Sequence, residues 1–181
     1  SVRDGDFGPE IGRYLVPPDV SMIAPLHKRR AVVVADRDAP SPIVIDLETG
    51  RASAPFATAM ARADSFGTSP DDRLLLVAGD KTLAMYDVGD GTVRATRKLA
   101  ALVTAWAFDP TSSRLAVVGL DGSVRVLDAS SLATTNDLAV REGASEVAFP
   151  TATSLVLRVG SELLTLDARS GDPLAEPIAR T

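Results

Sequence analysis

The chain has 181 residues, of which 45% are hydrophobic and 24% charged, a balance typical of a globular protein and unlike a disordered one. The formal net charge of −5 argues against nucleic acid as a partner, because nucleic-acid binders usually carry a basic face. The chain has no cysteine, which excludes disulfides and thiolate metal sites, and no apolar run reaches the roughly 18 residues that span a bilayer.

Short apolar runs separated by turn residues predict strands along the whole chain. Residues 1–17 are expected to be the last strand of a preceding unit, with a glycine-rich turn at 4–8 followed by a strand at 11–16. The first complete unit, residues 18–58, has apolar runs at Val20–Ile23, Ala31–Val34 and Ile43–Ile45. The second, residues 59–100, has the turn Ser69-Pro70-Asp71-Asp72-Arg73 followed by runs at Leu74–Ala78 and Leu83–Tyr86.

The third unit, residues 101–140, shows the pattern most clearly. A strand at 103–108 leads into Asp109-Pro110-Thr111-Ser112-Ser113, where proline presets φ and the polar side chains bond nearby backbone. A second strand at 115–118 precedes Asp121-Gly122, a pair that suits the positive-φ turn of a hairpin, and strands at 123–128 and 134–140 follow. The fourth unit, residues 141–181, repeats this order with runs at 147–150, 155–159 and 163–166 and a last strand near 175–179.

Two markers recur with a period near 40 residues. An apolar residue followed by aspartate ends the third strand of each unit, and these aspartates, at 46, 87, 128 and 167, are 41, 41 and 39 residues apart. Phe66, Trp106 and Val147 keep one phase at intervals of 40 and 41. Four short strands per repeat of this length predict an all-β fold, a β-propeller of four-stranded antiparallel blades with four blades in this chain.

Within that pattern, residues 103–110, 121–122 and 124–128 resemble the WD-repeat family almost position by position. The turn at 69–73 resembles the Ser-Pro-Asp-Gly-Arg turn of that repeat, and the likeness covers about residues 18 to 181. The tail at 167–178 is similar to the blade junctions of bacterial signalling ATPases that carry a C-terminal WD-repeat sensor.

The chain also departs from the family pattern. The Gly-His pair that opens a strong repeat is absent, and the tryptophan of the final Trp-Asp is replaced by Ile45, Tyr86, Leu127 and Leu166. The family's His-Ser-Trp-Asp hydrogen-bond network therefore cannot form, and blade cohesion is expected to come from apolar packing. The resemblance implies a ring of seven or eight blades. We therefore expect the missing blades to come from the same longer chain, another chain or a second copy, and solution mass tests this.

A search for reactive groups predicts no catalytic residue, no metal site and no cofactor. The frequent aspartates lack the alternating acidic loop with a closing glutamate that calcium needs, and are interpreted as turn residues. The single histidine, His27, lies beside Lys28-Arg29-Arg30 in a predicted surface turn, so no Ser-His-acid triad is supported. The basic cluster Lys28-Arg29-Arg30 is interpreted as a solvated turn, and binding of phosphate or of an acidic protein is the alternative. Trp106 is interpreted as core because it shares the phase of Phe66 and Val147.

The resemblance implies a non-catalytic protein-interaction or sensor module that is part of a larger signalling protein. The absence of cysteine fits the reducing cytosol, so a cytoplasmic location is expected. The excess of arginine over lysine favours a bacterial source. In the family, partners meet the face built from the turns between second and third strands and from the blade-linking loops. On this chain that face would bring together residues 36–41, 59–62, 80–81, 121–122 and 141–143. The predicted partner-binding residues are Arg37, Arg62, Lys81 and Arg141.

Two alternatives stay open at this point. A propeller enzyme of lactonase or quinoprotein type would place its site at the central channel; the shortage of histidine argues against it, and a bound metal would support it. Alternatively, the blades hold a neighbouring catalytic domain inactive until a ligand arrives, and sequence upstream of Ser1 would decide.

Overall fold

The computed structural model describes residue 16 and residues 18–138, 141–174 and 178–179. Every regular element in this part of the chain is a β-strand, and no helix there is long and apolar enough to cross a membrane. The strand predicted for residues 1–17 lies outside the described residues, apart from residue 16. The strands are β1 (Met22–Pro25), β2 (Ala31–Ala35), β3 (Ile43–Asp46), β4 (Ser65–Thr68), β5 (Leu74–Gly79), β6 (Thr82–Asp87), β7 (Val93–Lys98), β8 (Val103–Phe108), β9 (Arg114–Gly119), β10 (Val124–Asp128), β11 (Thr134–Leu138), β12 (Ala144–Ala148), β13 (Ser154–Val159), β14 (Glu162–Asp167) and β15 (Ile178–Ala179).

These strands form four antiparallel sheets, each built from consecutive strands as a propeller blade is, so the predicted fold class is confirmed. Blade 1 contains β1–β3, blade 2 β4–β7, blade 3 β8–β11 and blade 4 β12–β15. Blade 1 differs from the prediction because it has three regular strands instead of four. The segment after β3 runs antiparallel to it and pairs with it through an isolated bridge between Ile45 and Ala52. Small residues and Pro55, which has no N–H, prevent a regular fourth strand there.

Apolar side chains fill the space between successive blades, in three clusters that join blades 1 and 2, 2 and 3, and 3 and 4. The anchors are Val33, Leu75 and Tyr86 in the first joint, Leu76, Met85 and Leu115 in the second, and Val118, Leu155 and Leu157 in the third. Burying one side chain of this size stabilises the fold by roughly 1.5–3 kcal/mol. Apolar packing is therefore the main source of blade cohesion.

Polar contacts also cross the joints, which the sequence did not predict. Between inner strands, Trp106 Nε1 donates to Ser65 Oγ at 2.9 Å. At the outer rim, the last strand of one blade reaches the turn after the third strand of the next. Arg97 donates to the Leu132 carbonyl at 2.5 Å, and one blade further on Asn136 Nδ2 donates to the Ala168 carbonyl at 3.2 Å. The same contact type thus recurs at successive joints.

A third kind of contact comes from the turn between first and second strands. Its fourth residue has positive φ, 63° at both Asp72 and Ser112, where the WD-repeat pattern has glycine. The Asp72 carboxylate accepts the backbone N–H groups of residues 27, 28 and 29 in blade 1, at 2.5, 2.7 and 3.1 Å. Ser112 Oγ accepts the N–H of Asp71 at 3.1 Å. These side chains offset the strained backbone by tying each blade to the one before it.

Candidate interaction face

Two kinds of loop come to one end of the blades because strand direction alternates within each sheet. We call this end the loop face. It comprises the turns between second and third strands, at 36–42, 80–81, 120–123 and 160–161, and the blade-linking segments, at 57–64, 99–102 and 141–143. The opposite end, with the turns between first and second strands and between third and fourth strands, is called the turn face.

One hydrogen bond repeats at each junction of the loop face. The linking segment donates a backbone N–H to the turn of the blade that it leaves. Ala63 donates to the Arg37 carbonyl at 2.8 Å, Leu99 to the Lys81 carbonyl at 2.7 Å, and Arg141 to the Gly122 carbonyl at 2.9 Å. Arg37, Lys81 and Arg141 therefore occupy three successive junctions, with Arg62 next to Ala63. The structure brings all four sequence-predicted residues to this face, while their role in binding remains a prediction.

The linking segments also contact the turn of the blade that they enter. Leu120 donates its N–H to the Leu102 carbonyl at 2.7 Å, and Gly160 donates to the Gly143 carbonyl at 3.3 Å. At the first junction, the N–H of Ala59 donates to the buried Tyr86 hydroxyl at 3.2 Å, and burial raises the pKa of that hydroxyl. Each linking segment is thus held on both sides. The loop face is consequently a fixed surface rather than a set of independent loops.

The four predicted cations differ in their partners. Arg62 is half exposed and forms ion pairs with Asp38 at 4.0 Å and Asp64 at 3.6 Å. Exposed pairs of this kind contribute about 0–1 kcal/mol to stability. Within the described part of the chain, the side chains of Arg37, Lys81 and Arg141 make no ion pair. Arg141 Nε is also buried and has no hydrogen-bond acceptor, so this nitrogen has lost water without gaining a partner.

Backbone strain accompanies this face. The two-residue turn between β5 and β6 consists of Asp80 and Lys81, with φ values of 47° and 62°. Two-residue hairpin turns of this kind favour Asn-Gly, because both central residues need positive φ. Gly122 has φ 74°, and a Cβ added there would lie 2.7 Å from the Arg141 carbonyl oxygen, so glycine is required. The chain therefore keeps a strained lysine at one junction where a glycine would be easier to accommodate.

Two leucines on this face were not identified from the sequence. Leu102 is 42% exposed and Leu120 is 67% exposed. Leu120 stands between Gly119 and Asp121-Gly122, at a turn position where a polar residue is usual. An apolar residue in that polar turn was the available signal. The Asp121-Gly122 pair predicted the backbone conformation of this turn, which does not determine where the Leu120 side chain lies.

The aspartates act as turn caps, as predicted. The aspartate that ends each third strand accepts backbone N–H groups from the following turn: Asp46 from Thr49 at 2.7 Å, Asp128 from Ser131 at 2.8 Å, and Asp167 from Arg169 at 2.8 Å. Hydrogen bonds from these turns hold the pKa of each carboxyl below its usual range. No group of three potential metal ligands occurs among the described residues. These carboxylates are therefore committed to backbone structure.

The other singled-out side chains lie away from the loop face. Trp106 is half buried, packs against Gly67 and meets Phe108 edge to face at 5.9 Å, which agrees with its interpretation as core. His27 is exposed on the turn face beside Lys28, as predicted for a surface turn. Arg30 there forms an exposed ion pair with Glu48 at 3.8 Å.

No family model matches the chain, whereas individual known proteins are similar to it. A stretch of 67 residues is 43% identical to transducin beta-like protein 3 from Bos taurus and covers 35% of this chain but 8% of that protein. The crystal structure of the Myceliophteria thermophila Cps50 (Swd1) beta-propeller domain matches with a TM-score of 0.79 at 14% identity. That match covers 95% of this chain and 58% of the solved chain. The structural likeness establishes the fold, and the sequence match agrees with the repeat pattern.

Proposed function

Because the chain is a run of WD-repeat-type propeller blades, we propose that it is a non-catalytic interaction module whose loop face receives a partner protein. The observation that carries the proposal is the junction repeated three times, which sets Arg37, Lys81 and Arg141 in a row without ion-pair partners among the described residues. Cations that a fold does not neutralise internally are available to form charge pairs with a partner.

The carboxylates give no support to a propeller enzyme. Those at the ends of the third strands accept backbone N–H groups, and Asp72 and Asp109 do the same in the turns between first and second strands. A catalytic acid or base must instead present its oxygen to a substrate. Nothing described in the chain favours a lactonase-type or quinoprotein-type site, so the interaction module is the function we advance.

The finer parts of the proposal concern context. We propose that further blades complete the ring, from the same chain, another chain or a second copy, since this chain matches 58% of a solved propeller domain. A cytoplasmic location, a sensor role in a larger signalling protein and a bacterial origin remain predictions. Both relatives named above are eukaryotic and give no support to the bacterial origin.

Charge reversal tests the choice of face. In the test variant, Arg37, Arg62, Lys81 and Arg141 are all replaced by glutamate. The matched control reverses four cations of the turn face, Lys28, Arg29, Arg30 and Arg73, so that net charge changes equally. Partners captured by the unmodified chain from a lysate of its source are identified, purified and measured against both variants by calorimetry.

We expect the loop-face variant to lose at least tenfold in affinity for its purified partner, and the turn-face variant to bind within about twofold of the unmodified chain. Circular dichroism spectra that match the unmodified chain establish that both variants are folded. Undiminished binding by the loop-face variant, or a loss confined to the turn-face variant, would show that the partner uses another surface.

A further inference from the structure

Each blade has two sheet faces that can meet a neighbouring blade. We call the face that packs on the next blade the forward face, and the opposite one the backward face. The forward faces of blades 2 and 3 are buried by blades 3 and 4. The forward face of blade 4 differs, because Glu146, Arg158 and Leu163, which form one row across its first three strands, are all exposed.

Polar residues on this face replace residues that form the other joints. The strand register gives the equivalents of Arg158, Thr165 and Glu146 in blades 2 and 3, in that order, as Ala78 and Val118, Met85 and Val126, and Ser65 and Ala105. Ala78, Val118, Met85 and Val126 are at most 1% exposed. The Arg158 guanidinium therefore occupies a place that is apolar and buried in blades 2 and 3.

Arg158 and Glu146 form an ion pair on this face. Arg158 Nη1 lies 3.4 Å from Glu146 Oε1, and Arg158 Nε donates to Ser145 Oγ at 3.1 Å. The Arg158 and Glu146 side chains are 49% and 67% exposed, so water solvates the groups that the pair leaves unbonded. A blade packed here as blade 4 packs on blade 3 would bury both charges. Burial of an ion pair is favourable only when further hydrogen bonds satisfy its remaining groups, which an apolar face cannot supply.

The joint between blades 2 and 3 also holds an ion pair, but this one keeps its contact with water. Arg125 Nε lies 2.8 Å from Asp137 Oδ1, on the third and fourth strands of blade 3, and the Asp137 side chain is 69% exposed although blade 2 covers this face. Arg158 lies instead on the second strand of its blade, where the equivalent residues are buried. A blade that covers Arg158 must therefore provide its hydrogen-bond partners.

We propose that Glu146 and Arg158 determine which blade can follow blade 4: they admit a blade that brings hydrogen-bonding side chains to this pair and reject one whose backward face is apolar. The inference rests on the part of the proposed function in which further blades complete the ring. It excludes a second copy as their source, because the backward face of blade 1 has only apolar side chains in its two rows. These rows are Ile23, Val34 and Ile43, and Pro25, Val32 and Ile45.

The probe is the full chain extended at its C-terminus by a second copy of residues 141–181, which keeps the phase of the repeat. In the extension, the positions of Val147, Leu157 and Leu164, whose originals pack against blade 3, are randomised. The library is displayed on yeast with an epitope tag at its end, and cells that keep the tag after protease treatment are selected. The matched library has the blade 3 residues on the forward face of the original blade 4, through Glu146→Ala, Arg158→Val and Thr165→Val.

On the unmodified chain, we expect the resistant extensions to carry charged or amide side chains at one or more randomised positions, with the original apolar set depleted at least tenfold. On the triple variant, the original apolar set should be enriched at least tenfold, because the forward face then resembles that of blade 3. The unextended chain should sediment as a monomer of 18.9 kDa. Circular dichroism of both unextended chains establishes that they are folded.

Three results would overturn the inference: enrichment of apolar residues in both libraries, no resistant extension on the unmodified chain, or a doubled mass of the unextended chain. The second result would mean that this face accepts no blade, and the third that a second copy covers it. The loop-face charge reversal changes none of these residues. A loss of partner binding in that variant therefore leaves the interaction module standing even where the library contradicts the inference.

Discussion

The Asp72 carboxylate ties blade 2 to blade 1, and removing it is expected to weaken the joint between them. Asp72 is 6% exposed and accepts three backbone N–H groups from the turn at 27–29. A hydrogen bond to a charged group contributes about 1.5–3 kcal/mol, but water can replace part of the loss at this exposed turn. We therefore expect Asp72→Ala to reduce the free energy of unfolding by roughly 3–4 kcal/mol.

Asp72→Gly separates hydrogen bonding from backbone strain. Glycine removes the strain of a φ of 63°, which returns about 1 kcal/mol, so the net loss should be roughly 2–3 kcal/mol. Ser112→Gly is the matched control, since Ser112 has the same φ in the next blade but accepts a single N–H. There the lost bond and the relieved strain are each about 1 kcal/mol, so the stability should hardly change.

Urea unfolding measures both variants, followed by circular dichroism and by the fluorescence of Trp106, the single tryptophan. The expected result is a lower urea midpoint for Asp72→Gly and an unchanged midpoint for Ser112→Gly. Equal midpoints for the two glycine variants, or a stabilised Asp72→Gly, would refute the reasoning, because strain would then outweigh the carboxylate at this joint.

Three further predictions concern other joints and turns. Gly122→Ala should reduce the free energy of unfolding by about 2–4 kcal/mol, because its φ is 74° and the new Cβ meets a carbonyl oxygen at 2.7 Å. Its control, Gly160→Ala, has φ 58° and open space around the new Cβ, so the loss should be about 1 kcal/mol. Thermal unfolding measures both. Burial acts to raise the pKa of the Asp109 carboxyl, but hydrogen bonds from its turn hold that pKa below the ordinary value of 3.8. The ionised carboxylate therefore stabilises the fold at pH values above 3.8, and this stabilisation is lost as the pH falls through the lowered pKa. In acid titrations of unfolding, Asp109→Asn should make the decline in stability less steep. Gly67→Ala should destabilise by about 1–3 kcal/mol, since the new Cβ meets the Trp106 ring at 2.5 Å, and combining it with Trp106→Leu should restore part of that loss in urea unfolding.

Each of these has a contrary result. Equal losses in the two alanine variants of turn glycines would mean that steric contact adds nothing to backbone strain. A decline in acid that is equally steep without the Asp109 carboxyl would assign the acid sensitivity to other groups. Strictly additive effects of the substitutions at 67 and 106 would mean that the two side chains do not meet.

The strands and their order were predictable because the pattern is local. The aspartates that end the third strands cap the turns that follow them, so chain spacing and structure report the same unit. Blade 1 was predicted with four strands because the repeat implies a fourth strand. The composition at 52–55 overrode that expectation, since proline and small residues form a poor strand.

The candidate site was predictable in place but not in content. The loops of the interaction face could be assigned from the order of strands in each repeat, and this assignment identified Arg37 and Lys81 as candidate residues. Whether a cation is paired depends on which side chains meet in space, and neither the Arg62 pairs nor the unpartnered Arg141 Nε follows from spacing. The exposure of Leu120 was equally hidden, because leucine in a short run is usually core.

Hydrogen bonds described between neighbouring blades link positions about one repeat apart, such as the 32 positions between Asn136 and Ala168 and the 45 between His27 and Asp72. Each joint is therefore formed by residues of two consecutive repeats. Gene duplication that copies one blade with its neighbour also copies the surfaces that hold them together, so a longer array needs no new long-range pairing. Loop closure stays short at every step, and the entropic cost of assembly rises with blade number only in proportion.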